Sequence, residues 1–281
     1  MSNEFVISNI SLNELWGYKT IKWSNVDPKV NILVGPNGSG KSTFLRVLNS
    51  VLSYSVKDLD KVVSDVQIDL QGYKVNYYNS SRNDVTSDFG KTKIDVEYIN
   101  TFDVPTAKKS KHSQLMQELE RIVYQHNNAE LSFYDYRMMS LNYPEKRQEI
   151  EENISTLFIV IDKFFKPGGK HIELDKENNR LVFVLDITGD KITLEQLSSG
   201  EKQLLIILFR VFLMQKKSYI LLMDEPEISL HIDWQNQLID AVQKLNPNAQ
   251  IILSTHSPSI FADGWGDKLV FMDEITHKTN L

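Results

Sequence analysis

Cysteine is absent from this chain, which excludes a disulfide framework and any thiolate metal site. Long apolar stretches are missing as well. The longest nearly apolar run, Leu204 to Met214, has 11 residues and contains Arg210, against the roughly 20 that a membrane-spanning helix needs, so it reads as a buried helix. The first twenty residues hold no apolar core of a secretory leader, and the expected location is cytoplasmic. A basic surplus is lacking too: 31 Lys and Arg stand against 37 Asp and Glu, a net charge of -6. That argues against whole-surface affinity for nucleic acid and leaves only local basic stripes. Neither internal repeats nor low-complexity tracts occur. A chain of 281 residues, 41% hydrophobic and 24% charged, can bury a full core as one large domain, with or without an insertion.

The apolar run Val30 to Val34 leads into GPNGSGKST, Gly35 to Thr43, followed by the helical stretch FLRVLNSVL. This is a strand, a glycine loop and a helix, the context in which a phosphate-binding P-loop works. Its glycines let successive N–H groups point inward at phosphate oxygens, and the helix adds its positive end. The residues Asn37, Gly38, Ser39, Gly40, Lys41, Ser42 and Thr43 are thus candidates for binding a nucleoside triphosphate, with Lys41 on the β- and γ-phosphates and Ser42 on magnesium. Far downstream, SYILLMDEPE runs from Ser218 to Glu227 as a buried-strand pattern ending in two carboxylates. Asp224 suits the metal ion; Glu225 projects toward the place of an attacking water.

Between these lies LSSGEKQ, Leu197 to Gln203, a serine-rich turn at a helix start. Ser198, Ser199, Gly200 and Glu201 there combine hydroxyls, close backbone approach and a helix dipole. IILSTHSP, Ile251 to Pro258, is a strand closing on His256. The four motifs in this order resemble ABC-type ATPases, with LSSGEKQ in the place of the signature motif and His256 in that of the switch histidine. Glu201, Glu227 and His231, with Trp234 and Gln235 after DEPEISLH, are similar to the SMC, DNA-repair and OLD-like branch, whose stand-alone members include bacterial antiphage-defence ATPases.

The resemblance implies an α/β fold: a RecA-like mixed-sheet core, an N-terminal antiparallel β subdomain and a helical insertion. One ABC-type ATPase domain over 1–281 would comprise an N-terminal lobe at 1–104, an insertion and hairpin at 105–193 and a C-terminal lobe at 194–281. It also implies ATP and magnesium as ligands and a head-to-tail homodimer or larger assembly. Lys41, Ser42, Asp224, Glu225 and His256 would act in one copy, and Ser198, Ser199, Gly200 and Glu201 on the other copy's ATP. A bulky acid at Gly200 should then stop turnover and spare nucleotide binding. Ser229 and Leu230 would be either a loop crossing the seam or a turn plus a core leucine. The 25 residues after His256 are too few for a fused nuclease domain, so the expected partner is a separate effector, a nuclease or toxin, under ATP control. The alternative is a repair-type ATPase that itself engages nucleic acid.

Elsewhere the pattern is coarser. FVISNISL and TIKW alternate as strands, and Trp16 or Tyr18 is placed to stack on adenine or to pack on neighbours. KIDVEYIN, Lys93 to Asn100, reads as a strand whose end lacks the glutamine of the family's switch loop, with Asn100 or Thr101 as the replacement. From Pro105 onward, Leu115, Leu119, Ile122 and Val123, then Ile150, Ile154, Leu157, Ile161 and Phe164, recur at helical intervals. Both stretches are too short for a long coiled coil. HIELD and RLVFVLD flank KENN as a hairpin. Lys108, Lys109 and Lys111, and Lys163, Lys166 and Lys170, are the basic clusters.

Overall fold

The computed structural model describes residues 5–79, 84–87, 94–100, 113–125, 130–175 and 177–278. Thr101, Lys93 and the Lys108–Lys111 cluster lie outside them. The chain forms two compact units, Met1–Asn100 with Lys217–Pro226 and Asn248–Leu281, and Thr101–Lys216 with Glu227–Pro247. The units do not follow the expected order of lobes: the helix that carries the signature motif groups with the helical insertion, because helices bury their apolar stripes against helices.

The first unit holds two sheets. Five parallel strands, numbered with the rest along the chain, run in the order β13 (Leu269–Phe271), β3 (Val30–Val34), β12 (Ala249–Ser254), β11 (Tyr219–Asp224) and β7 (Val96–Asn100). Every residue of β12 is buried, as is nearly every one of β11, which explains their continuous apolar sequences. The polar exceptions are satisfied. Gln250 bridges to Ile7 N–H at 2.7 Å and to the carbonyls of Ile7 and Asp27 at 2.8 and 2.9 Å. Asn31 donates to the carbonyls of Asp27 and Ile251.

This core sheet is parallel throughout; the antiparallel strands are gathered in a second sheet, in the order β14 (Thr276–Lys278), β2 (Lys19–Ser24), β1 (Ile7–Leu15), β4 (Asp65–Leu70), β5 (Tyr73–Tyr78) and β6 (Asp84–Ser87). Its alternation is plain in β4, where Val66, Ile68 and Leu70 point inward. They join Phe44, Leu45, Val47, Leu48, Val51 and Leu52 of helix α1 (Lys41–Leu52) in one core. A short helix α8 (Met272–Ile275) follows β13.

The second unit contains helices α2 (Gln114–Tyr124), α3 (Phe133–Asn142), α4 (Arg147–Phe165), α5 (Ser199–Leu213), α6 (Ile232–Gln235) and α7 (Leu238–Leu245), with a sheet ordered β10 (Lys191–Ile192), β9 (Arg180–Leu185), β8 (Lys170–Asp175). The expected hairpin is β8 and β9. Both helical periodicities are present: on α2 Leu119, Ile122 and Val123 are buried, with Met116 in place of Leu115, and on α4 Ile150, Leu157, Ile161 and Phe164 are buried, with Ile154 half-buried and Val160 and Phe165 also enclosed. Helix α5, 15 residues long, spans about 22 Å, and no helix among the described residues is long and apolar enough to cross a membrane.

Arg210, the one charge inside the apolar run of α5, pairs with Glu118 of α2, which Arg121 also holds at 2.8 Å. Burial alone would raise the Glu118 pKa, but the two guanidinium groups outweigh it and bring it down to about 2. A depressed folded-state value means that this stabilisation is complete above the unfolded carboxylate value and fades as pH falls toward 2. Glu118→Gln is expected to lower stability at pH 7 by about 2 kcal/mol, because the carboxylate shared by Arg210 and Arg121 is lost, although Arg121 keeps its pairing with Glu130. Circular-dichroism melts should show the gap between variant and parent narrowing from pH 5 to pH 3.

Candidate nucleotide site

In α/β sheets ligands gather at the carboxyl ends of parallel strands, and all the expected same-copy site residues meet at that edge of the first unit. After β3 the chain turns through Gly38 and Gly40, whose φ of +77° and +111° are accessible at low cost only to glycine. Gly40 is doubly constrained: a Cβ there would lie 3.3 Å from the Trp16 ring. Lys41, the first residue of α1, is 4% exposed. Its ammonium donates to the Gly35 carbonyl at 2.8 Å and lies 2.9 Å from His256 Nε2. Lysine can only donate, so a bond in that geometry requires an unprotonated Nε2.

Asp224 ends β11 and is 2% exposed. Its Oδ1 accepts from the Ser42 hydroxyl at 3.0 Å and from the Ser254 hydroxyl at 2.5 Å, and its Oδ2 from the Tyr98 hydroxyl at 3.4 Å. Ser42 and Asp224 are 182 residues apart in sequence, so this contact is made entirely by tertiary structure. One carboxylate and one hydroxyl fit a magnesium ion that completes its hard-oxygen shell with phosphates and water. A second feature fits a triphosphate: the Ser39 hydroxyl, inside the glycine loop, is buried with no hydrogen-bond partner among the described residues.

Glu225 follows at a φ of +48°, an arrangement that costs a non-glycine residue about 1 kcal/mol or more. Its backbone N–H is held by the Ser254 carbonyl at 3.0 Å. The turn swings the carboxylate away from the strand, and Oε1 stands 3.4 Å from His256 Nε2. Lys41, Glu225 and His256 thus converge around one point.

Tyr98 and Ser254 were not among the sequence-based candidates. Strand register sets Ser254 opposite Asp224 on one side and Asn100 on the other, whereas Tyr98, opposite Leu222, reaches Asp224 only through its hydroxyl. Asn100, one of the two expected stand-ins for the missing glutamine, therefore reaches the site edge. Trp16 and Tyr18 sit beside the glycine loop, both over a third exposed. Lys19 lies over both rings, at 5.0 and 5.6 Å, and its ammonium donates to the Ser39 carbonyl at 3.4 Å.

In the second unit, LSSGEKQ forms the start of α5. Ser198 is the cap: its hydroxyl accepts from Glu201 N–H at 3.3 Å, while Glu201 Oε2 accepts from Ser198 N–H at 2.8 Å, a reciprocal capping box. Ser199 is exposed at the first helical position. Lys202, also overlooked in the sequence, is buried and donates to the carbonyls of Glu195 and Leu197 at 2.8 and 2.5 Å, which pins the turn before the helix.

Gly200 requires a correction. A Cβ there would lie 2.3 Å from the Ser229 carbonyl oxygen of the same chain, so its substitution disturbs its own copy's backbone and is no clean probe of a neighbour's site. Ser229 itself is exposed at a φ of +68°, and Leu230 is buried. Trp234 packs on Phe164 and Phe165, and Gln235 donates to the Leu230 carbonyl at 2.9 Å, so these two motif residues are structural here.

A glycine loop, a strand-end Asp-Glu pair and a following histidine at one edge of a parallel sheet make up a candidate P-loop nucleotide site on an ABC-type ATPase fold. Over residues 30–262 the chain matches, and belongs to, the family described as "AAA domain, putative AbiEii toxin, Type IV TA system". It is 26% identical over 201 residues to the Retron Vc95 probable ATPase of Vibrio cholerae serotype O1 biovar El Tor, covering 68% of this chain and 35% of that protein. A 121-residue stretch is 31% identical to the Retron Ec83 probable ATPase of Escherichia coli, covering 38% and 22%. The Septu protein PtuA of Bacillus thuringiensis is 21% identical over 294 residues, covering 90% and 72%. The matches thus span about a third or less of the two retron proteins.

Among solved structures, the Smc head bound to the C-terminal winged-helix domain of ScpA superposes with a TM-score of 0.63 at 16% identity, covering 98% of this chain and 97% of that one. The SMC head domain from Thermotoga maritima gives 0.56 at 14%, covering 98% and 99%. The fold is that of an SMC head ATPase, as the resemblance implied.

Proposed function

We propose that this chain binds ATP with magnesium, hydrolyses it in a head-to-tail dimer, and through that cycle controls a separately encoded effector in antiphage defence. The observation that carries the reading is the meeting of Lys41, Ser42, Asp224, Glu225 and His256 around the glycine loop. Bound magnesium would neutralise phosphate charge and orient the β- and γ-phosphates. Ser42 and Asp224 would hold that ion, and Lys41 would turn its ammonium from the loop carbonyls to the phosphates. Glu225 orients and deprotonates the attacking water, and His256 contacts the γ-phosphate oxygens. Trp16 or Tyr18 offers a face to adenine.

Ser198, Ser199, Gly200 and Glu201 would cap the nucleotide of a second copy, so that each site is complete only in the dimer. The effector role is supported by likeness to the retron and Septu proteins, a relation of family rather than of chemistry. Two of the three lysines in the second basic cluster are already paired, Lys166 with Asp162 and Lys170 with Glu201, which weakens the nucleic-acid alternative. Light scattering tests the reading. With a slowly hydrolysed ATP analogue and magnesium, the particle should double from its 32.5 kDa. A single copy that stays single while cleaving ATP would overturn it.

A further inference from the structure

The composite site as proposed contains an electrostatic problem. The helix start that must approach a neighbour's triphosphate carries a carboxylate, Glu201, in its first turn, and like charges brought together at an interface oppose association. Lys170 answers it. Its ammonium lies 2.5 Å from Glu201 Oε1, with both side chains largely buried, 17% and 14% exposed. The other carboxylate oxygen is taken by Ser198 N–H. Burial alone would raise the Glu201 pKa, but the Lys170 ammonium and then the Ser198 groups hold it below the usual carboxylate range, so the pair is ionic.

Lys170 is itself held in place. It opens β8 directly after Gly169, whose φ of +74° ends the turn leaving α4. Its ammonium stands 5.8 Å over the ring of Phe165, and that ring stacks on Phe183 at 4.5 Å. The lysine therefore ties the start of α5 to the α4–β8 junction. A glutamine at position 201 could cap the helix without carrying charge, whereas a glutamate carries a negative charge that Lys170 offsets.

We propose that Lys170 is a positioning residue for nucleotide binding in trans: it neutralises and anchors Glu201, so that the cap presents Ser198 and Ser199 to the neighbouring copy's γ-phosphate without a net negative charge. This rests on the dimer reading above. Removing the lysine leaves a partly desolvated carboxylate facing a triphosphate. Removing both charges takes the repulsion away again, which a purely packing role for the lysine stem would not reproduce.

The test uses the full chain carrying Glu225→Gln and follows ATP-dependent dimerisation by light scattering, with a fluorescent ATP analogue reporting binding to the single copy and melting curves reporting folding. Lys170→Met should raise the ATP concentration at half-dimerisation by about tenfold or more, with analogue affinity of the single copy unchanged. Lys170→Arg should keep most of the parent behaviour, and adding Glu201→Gln to Lys170→Met should recover most of the loss. Should Lys170→Met not fold, Lys170→Gln takes its place with the same expectations. Equal losses in the single and double variants, or no loss in the single one, overturn the proposal. If the parent with Lys170 intact fails to dimerise, the failure lies with the dimer reading and removes this inference with it.

Discussion

Glu225→Gln is expected to reduce ATP turnover by about a hundredfold or more, the usual contribution of a positioned general base, while ATP binding persists and the chain collects as an ATP-bound dimer. Glu225 adopts a left-handed φ of +48° directly after the buried end of β11, and its N–H is held by the Ser254 carbonyl, so a glutamine inherits the same placement and the same length. Only the charge and the ability to take a proton are lost. The amide can still hydrogen-bond a water without activating it, and Asp224, Ser42 and Lys41 are untouched, so the nucleotide stays bound and uncleaved. Single-turnover hydrolysis with size-exclusion chromatography checks both halves. Undiminished turnover would remove Glu225 from the mechanism; loss of ATP binding would place it with the ligand-holding residues instead.

The second large effect concerns complementation between two inactive variants. Lys41→Ala should lose ATP binding and turnover, because Lys41 is the loop's own buried cation. Ser199→Arg, altered at an exposed helix start, should bind ATP in its own loop yet fail to turn over, because the damage is delivered to the other copy. In a 1:1 mixture half of the dimers pair the two variants, and each of these has one intact site and one doubly damaged site. Turnover should therefore recover to about a quarter of the parent value if sites act independently. Ser199 replaces Gly200 in this design because a side chain at Gly200 would strike the Ser229 carbonyl in its own chain. No recovery on mixing, or normal turnover by Ser199→Arg alone, would contradict a shared site.

How much was legible beforehand follows the range of the interactions. The glycine loop, the strand ending at Asp224 and the cap at Ser198 are written within a few consecutive residues, since backbone freedom, apolar runs and side-chain caps act locally. Arg210 could be seen as an anomaly in an apolar run, though its partner Glu118, 92 residues earlier, could not be named. Helical faces were readable to within a residue, as the Leu115 and Met116 exchange shows. Tyr98 and Ser254 were not readable, because nothing local marks a serine that strand register, or a tyrosine that side-chain reach, will bring to a distant aspartate.

The sequence by itself determined the chemistry available here: a phosphate loop with its lysine, a paired carboxylate at a strand end, a histidine after another strand, and a serine cap with a glutamate inside it. Those identities depend on short spacings and on what each side chain can donate or accept. Tertiary structure alone decided which of them meet and how each is constrained. Parallel register sets Ser254 against Asp224 while α1 and β7 bring the hydroxyls of Ser42 and Tyr98 to it, the left-handed turn aims Glu225, the backbone of Ser229 leaves no room beside Gly200, and the α4–β8 junction delivers a lysine to Glu201. Each of these joins segments tens to hundreds of residues apart, and packing and hydrogen-bond geometry, rather than any local preference, brings them together.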